Sequence, residues 1–328
     1  MPEHTCMIIT GPTATGKTAL GVMAAKTLNG EVVSADSMQV YRHMDIGTAK
    51  PKPGEMAGVP HHMLDAVSPL EDYSVSRYVG EASRYVDDIL SRSKLPVIVG
   101  GTGLYIDSLT SGRVFSLRGQ AGLREELAAR YDAMGGEAML REMKAFDPER
   151  AAKLHANDKK RIVRAFEIHE TSGTTISQHD IETQKLPARY SALKIALTFS
   201  DRETLYARIN ARVDDMIAAG LINEVLALLD MGVSPDCTAM QAIGYKEIIG
   251  ALQGEYSMDE AAEMIKVRSR HYAKRQLTWL RRDESVKWIR WGKEPDLDAG
   301  LARINEIISD AGDMTTTEDS ACEKAISM

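Results

Sequence analysis

No apolar run in the 328 residues reaches the length that a bilayer-spanning helix needs. That absence argues against an embedded protein, and no membrane partner is expected. Cysteine is scarce: Cys6, Cys237 and Cys322 are scattered and odd in number. They form neither a disulfide framework nor a zinc site, which points to a reducing cytoplasm. No signal-peptide pattern is expected either, because the first strand runs at once into a glycine loop. Positive charge is not in excess: 40 Lys and Arg face 47 Asp and Glu, a formal net charge of −7. Taken as a sum, this argues weakly against nucleic acid, but the distribution is uneven and matters more. Internal repeats and low-complexity blocks are missing too. The remaining composition, 44% hydrophobic and 27% charged, is that of a globular chain long enough for two domains.

What is present begins near the N-terminus. Gly11-Pro12-Thr13-Ala14-Thr15-Gly16-Lys17-Thr18 follows the apolar run Cys6–Thr10 and leads into Ala19-Leu20-Gly21-Val22-Met23. Strand, glycine loop and helix together form the context of a phosphate-binding P-loop. Gly11 and Gly16 let the backbone turn so that N–H groups converge on anionic oxygens. The following helix adds its positive dipole end. Lys17 supplies a mobile charge, and the Thr18 hydroxyl can hold a Mg²⁺ ion. The motif specifies phosphate without specifying the compound.

Further strands are expected at 31–35, ending in Asp36-Ser37, and at 96–99, ending in Gly100-Gly101-Thr102-Gly103. A helix with apolar spacing covers about 77–93. Alternating strands and helices imply a parallel sheet whose ligands collect beyond the carboxyl ends of the strands. Three such ends, the P-loop, Asp36-Ser37 and Gly101-Thr102, should meet at one crevice. From 113 to 190 helical patterns replace strands, at about 121–134, 136–145 and 158–171. The sheet returns at 193–199. Asp201 is placed to cap a helix running towards Gly220, and helices at 221–231 and 257–281 precede a strand at 286–291. The expected fold is α/β: a P-loop NTPase-like parallel sheet flanked by helices, with an inserted all-helical domain. The core would comprise 1–112 and 191–311, the insertion 113–190, and a disordered tail 312–328.

Charge gathers in two places. Residues 268–290 carry Arg268, Arg270, Lys274, Arg275, Arg281, Arg282, Lys287 and Arg290 against Asp283 and Glu284. A second knot is Lys159-Lys160-Arg161 with Arg164. Such patches suit a nucleic-acid backbone, although a lone patch is more often a solvated helix face. Trp279, Trp288 and Trp291 could stack on bases, but their spacing favours a core role. His61-His62 reads as a structural loop pair, because adjacent side chains diverge in extended chain. A GTPase would need Asn-Lys-x-Asp, which Asn157-Asp158-Lys159-Lys160 is not, and a motor ATPase would need an acidic pair at a strand end. Asp36 is the one carboxylate at a strand end near the loop. It could ligate Mg²⁺ or act as a general base.

The flanking segments decide between these. Asp36-Ser37-Met38-Gln39-Val40-Tyr41, Met44-Asp45-Ile46-Gly47-Thr48-Ala49-Lys50-Pro51, Pro60-His61-His62-Met63-Leu64-Asp65 and Val99-Gly100-Gly101-Thr102-Gly103-Leu104-Tyr105 resemble the bacterial-type tRNA dimethylallyltransferases. Asn157-Asp158, Lys160 to Ala165, Ile243 to Glu247 and Lys274 to Arg281 continue the resemblance over about 5–291. It implies transfer of a dimethylallyl group from dimethylallyl diphosphate to N6 of the adenosine at position 37, beside the tRNA anticodon, with release of diphosphate. Gly11, Pro12, Thr13, Ala14, Thr15, Gly16, Lys17, Thr18 and Arg208 would then bind the diphosphate, with Mg²⁺ on Thr18. Asp36, Thr102, Lys17 and Arg212 would serve catalysis. Asp36, Ser37, Met38, Gln39, Thr102, Lys160, Arg161, Ile162, Val163, Arg164 and Gln241, Ala242, Ile243, Gly244, Tyr245 and Lys246 would face the tRNA. Lys160 departs from the glutamine often found there. The helical insertion would clamp the anticodon stem-loop, and a monomer without an obligate protein partner is implied. Rival readings are an adenylate isopentenyltransferase acting on a free nucleotide, a small-molecule P-loop kinase, and a non-catalytic RNA-binding module. The helical insertion, the lack of an arginine-rich lid and the complete P-loop stand against these in turn.

Overall fold

The structure is a computed structural model that describes residues 5–112 and 122–310. The elements run β1 (Cys6–Thr10), α1 (Lys17–Thr27), β2 (Gly30–Ser34), α2 (Pro53–Met56), β3 (His61–His62), α3 (Val75–Ser91), β4 (Leu95–Val99) and α4 (Gly103–Thr110). Five helices follow: α5 (Leu123–Met134), α6 (Gly136–Phe146), α7 (Pro148–Lys153), α8 (Lys159–Ser172) and α9 (Ile176–Gln184). The chain closes with β5 (Ala192–Phe199), α10 (Arg202–Ala218), α11 (Leu221–Asp230), α12 (Tyr245–Leu252), α13 (Met258–Leu280), β6 (Lys287–Trp291) and a helix α14 over 297–310. The chain divides into two compact units, with breaks after Thr110 and after Arg189.

The first unit holds one six-stranded sheet of order β3-β2-β4-β1-β5-β6, and every pair in it is parallel. A parallel sheet is covered on both faces, so its strands are apolar throughout rather than alternating. All five residues of β1 are accordingly buried. Register sets the function. Ile9 lies beside Val99 and Ile195, Ser34 beside Val99, and Phe199 beside Trp291. The carboxyl ends of β1, β2 and β4 are therefore nearly level, β5 and β6 run on beyond them, and the loops leaving all of them share one edge of the sheet. Met7, Ile9, Leu20, Val32, Val97, Val99, Ile195, Leu197 and Leu205 belong to the core cluster that packs α1 and α10 on the sheet.

Local chemistry sets the helix starts. Ser74 accepts from the Arg77 N–H, so α3 begins at Val75, two residues before the apolar spacing suggests. Asp201 accepts from Thr204 N–H at 2.7 Å, the capping role its position implies. Ser257 and Glu260 form a reciprocal capping box at the start of α13. Apolar periodicity does not reveal α2, β3, α4, α7, α9, α12 or α14, most of them too short to show a period.

The second unit consists of α5 to α9, with no strand among its described residues. Its core gathers Leu127, Met139, Leu140, Met143, Ile162, Val163, Ala165 and Phe166. Ile162 and Val163 are 0% and 3% exposed. This corrects their assignment as tRNA contacts: one face of α8 must fill this core, and the side chains on that face cannot reach a solvent partner. The same helix leaves Lys160 and Arg161 exposed. Arg164 pairs with the buried Glu167 at 2.7 Å, and Lys159 with Asp132 at 2.6 Å. The expected tail at 312–328 lies outside the described residues.

Candidate active site

The P-loop turns sharply because Gly11 and Gly16 permit it. Gly11 has φ +140°, and a Cβ there would lie 2.3 Å from the Leu197 carbonyl oxygen of β5. Gly16 has φ +80° and caps α1 without any side-chain hydrogen bond, so the first-turn amides keep their donors for a ligand. Inside the loop, Thr15 Oγ1 donates to the Pro12 carbonyl at 2.8 Å and Lys17 Nζ donates to the same oxygen at 2.6 Å. The Trp291 indole at the end of β6 donates to the Thr15 carbonyl at 2.9 Å. Thr13, Ala14, Thr15, Gly16, Lys17 and Thr18 line a cavity of about 800 Å³. Gly11 and Pro12 are buried behind it. Their part is to shape the turn.

The opposite wall comes from the ends of β2 and β4. Asp36 Oδ1 accepts from Met38 N–H at 2.9 Å and from Gln39 N–H at 3.4 Å. That turn orients the carboxylate into the cavity, which Asp36, Ser37, Met38 and Gln39 all line. Thr102 Oγ1 accepts from the Ser37 N–H at 3.0 Å and lies 3.3 Å from Ser37 Oγ. Its hydroxyl thus braces the strand end that carries Asp36, and Thr102 is not among the residues lining the cavity. Gln39 is spent on structure: its carbonyl accepts from Ser34 Oγ, and its amide donates to the Thr48 and Ala49 carbonyls at 3.2 and 3.3 Å.

Lys17 and Arg212 share the cavity with Asp36 and Glu55, and neither cation is ion-paired with them among the described residues. Arg212 on α10 lines the cavity, and its Nε is buried without a hydrogen-bond partner. Burial pulls the Arg212 guanidinium downward, opposed by Asp36 and Glu55. Burial, and next the Arg212 charge, push the Lys17 ammonium down to about 7, with Asp36 opposing. Two neighbouring, partly buried cations favour an anionic ligand beside them. Arg208, one turn earlier, reaches the Ala14 carbonyl with Nε at 3.4 Å and stacks on Phe199. It supports the P-loop from outside the cavity.

Helix α13 adds a further wall, of which the sequence singles out only Arg275, in the basic patch, and the segment from Lys274 to Arg281. Ile265, Ser269, Tyr272, Arg275 and Gln276 line the cavity from one face of that helix. Their spacing of four, three, three and one is the helical period, so the signal was present, but nothing in the sequence said which way the face pointed. Tyr272 reaches the Gly101 carbonyl at 3.5 Å, and Gln276 Nε2 donates to the same oxygen at 2.9 Å. Of the tryptophans, Trp291 is core, while Trp279 and Trp288 are half-buried; Trp279 donates to Asp107 at 2.8 Å.

Gln241, Ala242, Ile243 and Gly244 also line the cavity, and Lys246 is exposed. Tyr245 is fully buried, and its hydroxyl donates to Glu224 at 2.6 Å. This corrects its assignment as a tRNA contact: its ring fills the space that Gly47 leaves by having no side chain. The same Glu224 accepts from the backbone N–H groups of Asp45, Ile46 and Gly47 at 2.8, 2.7 and 3.0 Å. Lys50 is bound to Asp45, Asp65 and the Tyr41 carbonyl. His62 pairs with Glu31 and His61 with the Val59 carbonyl, a structural role for both. No group of three or more His, Cys, Asp or Glu able to hold a metal occurs among the described residues, and no helix there is long and apolar enough to cross a membrane.

A parallel sheet with a P-loop after β1, facing a carboxylate at the end of β2 and an arginine whose Nε lacks a partner, defines a P-loop-like α/β enzyme. Comparison makes this specific. The chain belongs to the IPP transferase family, whose family model matches residues 39–283. It is 47% identical to tRNA dimethylallyltransferase of Thermoanaerobacter sp. strain X514 over 86% of this chain and 90% of that one. It is likewise 47% identical to tRNA dimethylallyltransferase of Carboxydothermus hydrogenoformans, over 93% and 97%. Among solved structures, the full-length tRNA isopentenylpyrophosphate transferase of Bacillus halodurans superposes with a TM-score of 0.71 at 40% identity, covering 97% of this chain and 99% of that one. A eukaryotic dimethylallyltransferase acting on tRNA superposes with a TM-score of 0.78 at 29% identity, covering 93% and 79%.

Proposed function

We infer that this chain transfers the dimethylallyl group of dimethylallyl diphosphate to N6 of adenosine 37 in tRNA and releases diphosphate. One observation carries the reading of the site: the half-buried Lys17 and Arg212, the latter with a buried Nε that has no hydrogen-bond partner, line the cavity that Asp36 enters. Loss of an allylic diphosphate puts charge on the leaving oxygens. The α1 amides, Lys17 and Arg212 are placed to stabilise that charge. Thr18 lines the same space and offers a hydroxyl, a donor type that Mg²⁺ accepts alongside phosphate oxygens and water. Bound there, Mg²⁺ would supply further positive charge to the leaving group.

The adenine amine is a weak nucleophile because its lone pair is delocalised into the ring. Asp36 takes the amine proton as the carbon–nitrogen bond forms and the carbon–oxygen bond to diphosphate breaks. Thr102 acts through Ser37 by holding the turn that aims Asp36. The target base has to leave its stack to reach a cavity of this depth. Ser37 and Met38 on one wall and Gln241 to Gly244 on another receive it. Residues 113–190 form the domain that clamps the anticodon stem-loop through Lys160 and Arg161, with Arg164 contributing less because Glu167 holds it. One chain suffices as a monomer, since the phosphate loop, the base and the arginine all belong to one compact unit.

The test is incubation with Mg²⁺, dimethylallyl diphosphate and unmodified tRNA carrying adenosine 3′ of the anticodon, followed by mass analysis of the digested nucleosides. One dimethylallyl group gained on adenosine is the expected outcome. Modification of free adenosine phosphates instead of RNA would move the acceptor and refute the tRNA reading.

A further inference from the structure

Where the ends of β1, β2 and β4 converge, α13 lays Gln276 across Gly101. The fit is close: a Cβ on Gly101 would stand 2.2 Å from Gln276 Nε2 and 3.5 Å from the Gly11 carbonyl oxygen. The amide orientation follows from its partner. Nε2 donates to the Gly101 carbonyl at 2.9 Å, and the reverse orientation would set two oxygens against each other. The Gln276 carbonyl oxygen is consequently left over. Gln276 is 6% exposed and lines the cavity, and its Oε1 is buried with no hydrogen-bond partner. A buried carbonyl without a donor costs about 1–3 kcal/mol, so such groups are seldom left without a use.

The surroundings narrow what the missing donor is. One residue beyond Gly101, Thr102 binds the Ser37 N–H, so this corner is tied directly to the turn that aims Asp36. Tyr272, one helical turn before Gln276, offers its hydroxyl to the same corner. Burial pushes that phenol up to about 12, so it stays protonated and is itself a donor. The corner thus presents acceptors towards the cavity in the Asp36 carboxylate and the Gln276 carbonyl. An exocyclic amine has two N–H bonds and suits a pair of acceptors. A base with a carbonyl at the same ring position suits neither.

We propose that Gln276 is a specificity-determining residue whose Oε1 accepts one N–H of the target base's amine while Asp36 takes the proton of the other. Gln276 thereby reads amine against carbonyl at that ring position. Gly101 must remain glycine because any side chain would displace the Gln276 amide. The proposal rests on the transfer reading above and deepens it.

The experiment compares two anticodon stem-loop RNAs, identical except for adenosine or inosine at the target position. Their affinities for the wild-type protein and for Gln276→Met are measured in the presence of pyrophosphate and Mg²⁺. Inosine keeps the ring and replaces the amine with a carbonyl. The wild type should favour adenosine, and Gln276→Met should lower that preference about five- to tenfold, the worth of one neutral hydrogen bond and the mismatch it prevents. A second variant, Gln276→Glu, supplies a readout that packing alone would not move. Ionised, its carboxylate can only accept, so the preference for the amine should persist as pH rises; protonated, it gains a donor that can satisfy the inosine carbonyl, so the preference should fall as pH falls. An unchanged preference in Gln276→Met, with only a lower melting temperature, would reduce Gln276 to a brace for Gly101 and overturn the proposal. So would an unchanged preference with weakened Mg²⁺-dependent pyrophosphate binding, which would assign the free oxygen to the metal's water. Dimethylallyl transfer to adenosine RNA by the wild type is scored separately, so a failure there sinks the transfer reading and not this one alone.

Discussion

The first unit contains two backbone turns able to gather N–H groups around an anion, and they differ in whether the protein supplies it. At Asp45, Ile46 and Gly47 the anion is the protein's own: the Glu224 carboxylate takes all three N–H groups, and Tyr245 adds a fourth donor. At residues 11–18 the chain supplies no carboxylate. Lys17 turns back to its own Pro12 carbonyl, and Arg212 keeps a buried Nε without a partner. The first turn is complete and serves structure. The second is cationic and incomplete, and the proposed diphosphate would complete it. A nest of amides is thus a structural device or a binding site according to whether the fold has already filled it.

The largest effect should come from the carboxylate opposite the open nest. Asp36→Asn keeps the turn-forming acceptor for Met38 and removes the base, so the single-turnover rate should fall about 10²- to 10⁴-fold. RNA affinity should stay within a few-fold; a near-normal rate would remove Asp36 from the proton transfer. Next, Lys17→Met should weaken pyrophosphate binding about a hundredfold, the scale for truncating one member of a buried charge pair. Its pH dependence has a definite sign. With the free ammonium near 7, a bound anion favours the charged form, so binding at pH 7 to 8 takes up protons and weakens as pH rises through 7. Calorimetry in buffers of different ionisation enthalpy reads the uptake, which Lys17→Met should reduce.

Glu224→Ala addresses the filled nest. Four donors lose their acceptor, and the melting transition should drop by the equivalent of about 2–4 kcal/mol. Pyrophosphate affinity should move only a few-fold. A loss as large as that of Lys17→Met would mean the two nests are not separate. The smallest effect concerns the helical unit. Lys160 has no ion-pair partner among the described residues, whereas Lys159 and Arg164 do. Lys160→Ala should reduce the slope of log affinity for RNA against log salt by about one, with little effect on pyrophosphate. An unchanged slope would remove this helix from the RNA interface.

Much of this was legible along the chain because it is local. The P-loop is eight consecutive residues after an apolar strand, and the Asp201 cap lies three residues before the Thr204 N–H that donates to it. The convergence of the P-loop, Asp36 and Gly101 followed from strand order logic, since parallel strands present their loops at one edge. The readings that failed were those that treat a motif as a surface. Ile162 and Val163 lie between Arg161 and Arg164 in sequence, yet a helix turns about 100° per residue and buries them. Tyr245 sits beside cavity-lining residues but points at Glu224, 21 positions earlier.

By itself the sequence determined the class of chemistry: a phosphate loop, a strand-end carboxylate, and a run of segments shared with a prenyl-transferring family. Short-range spacing encodes these, because backbone geometry converts it directly into position. Only the tertiary structure decided which polar groups are already satisfied and which are waiting. Glu224 finds its amides 177 to 179 residues away, and Gln276 finds Gly101 at a separation of 175. Whether a buried donor or acceptor is left without a partner depends on such distant pairings. No local pattern carries that information, and the free atoms of Arg212 and Gln276 became visible only once the strands and helices had been brought together.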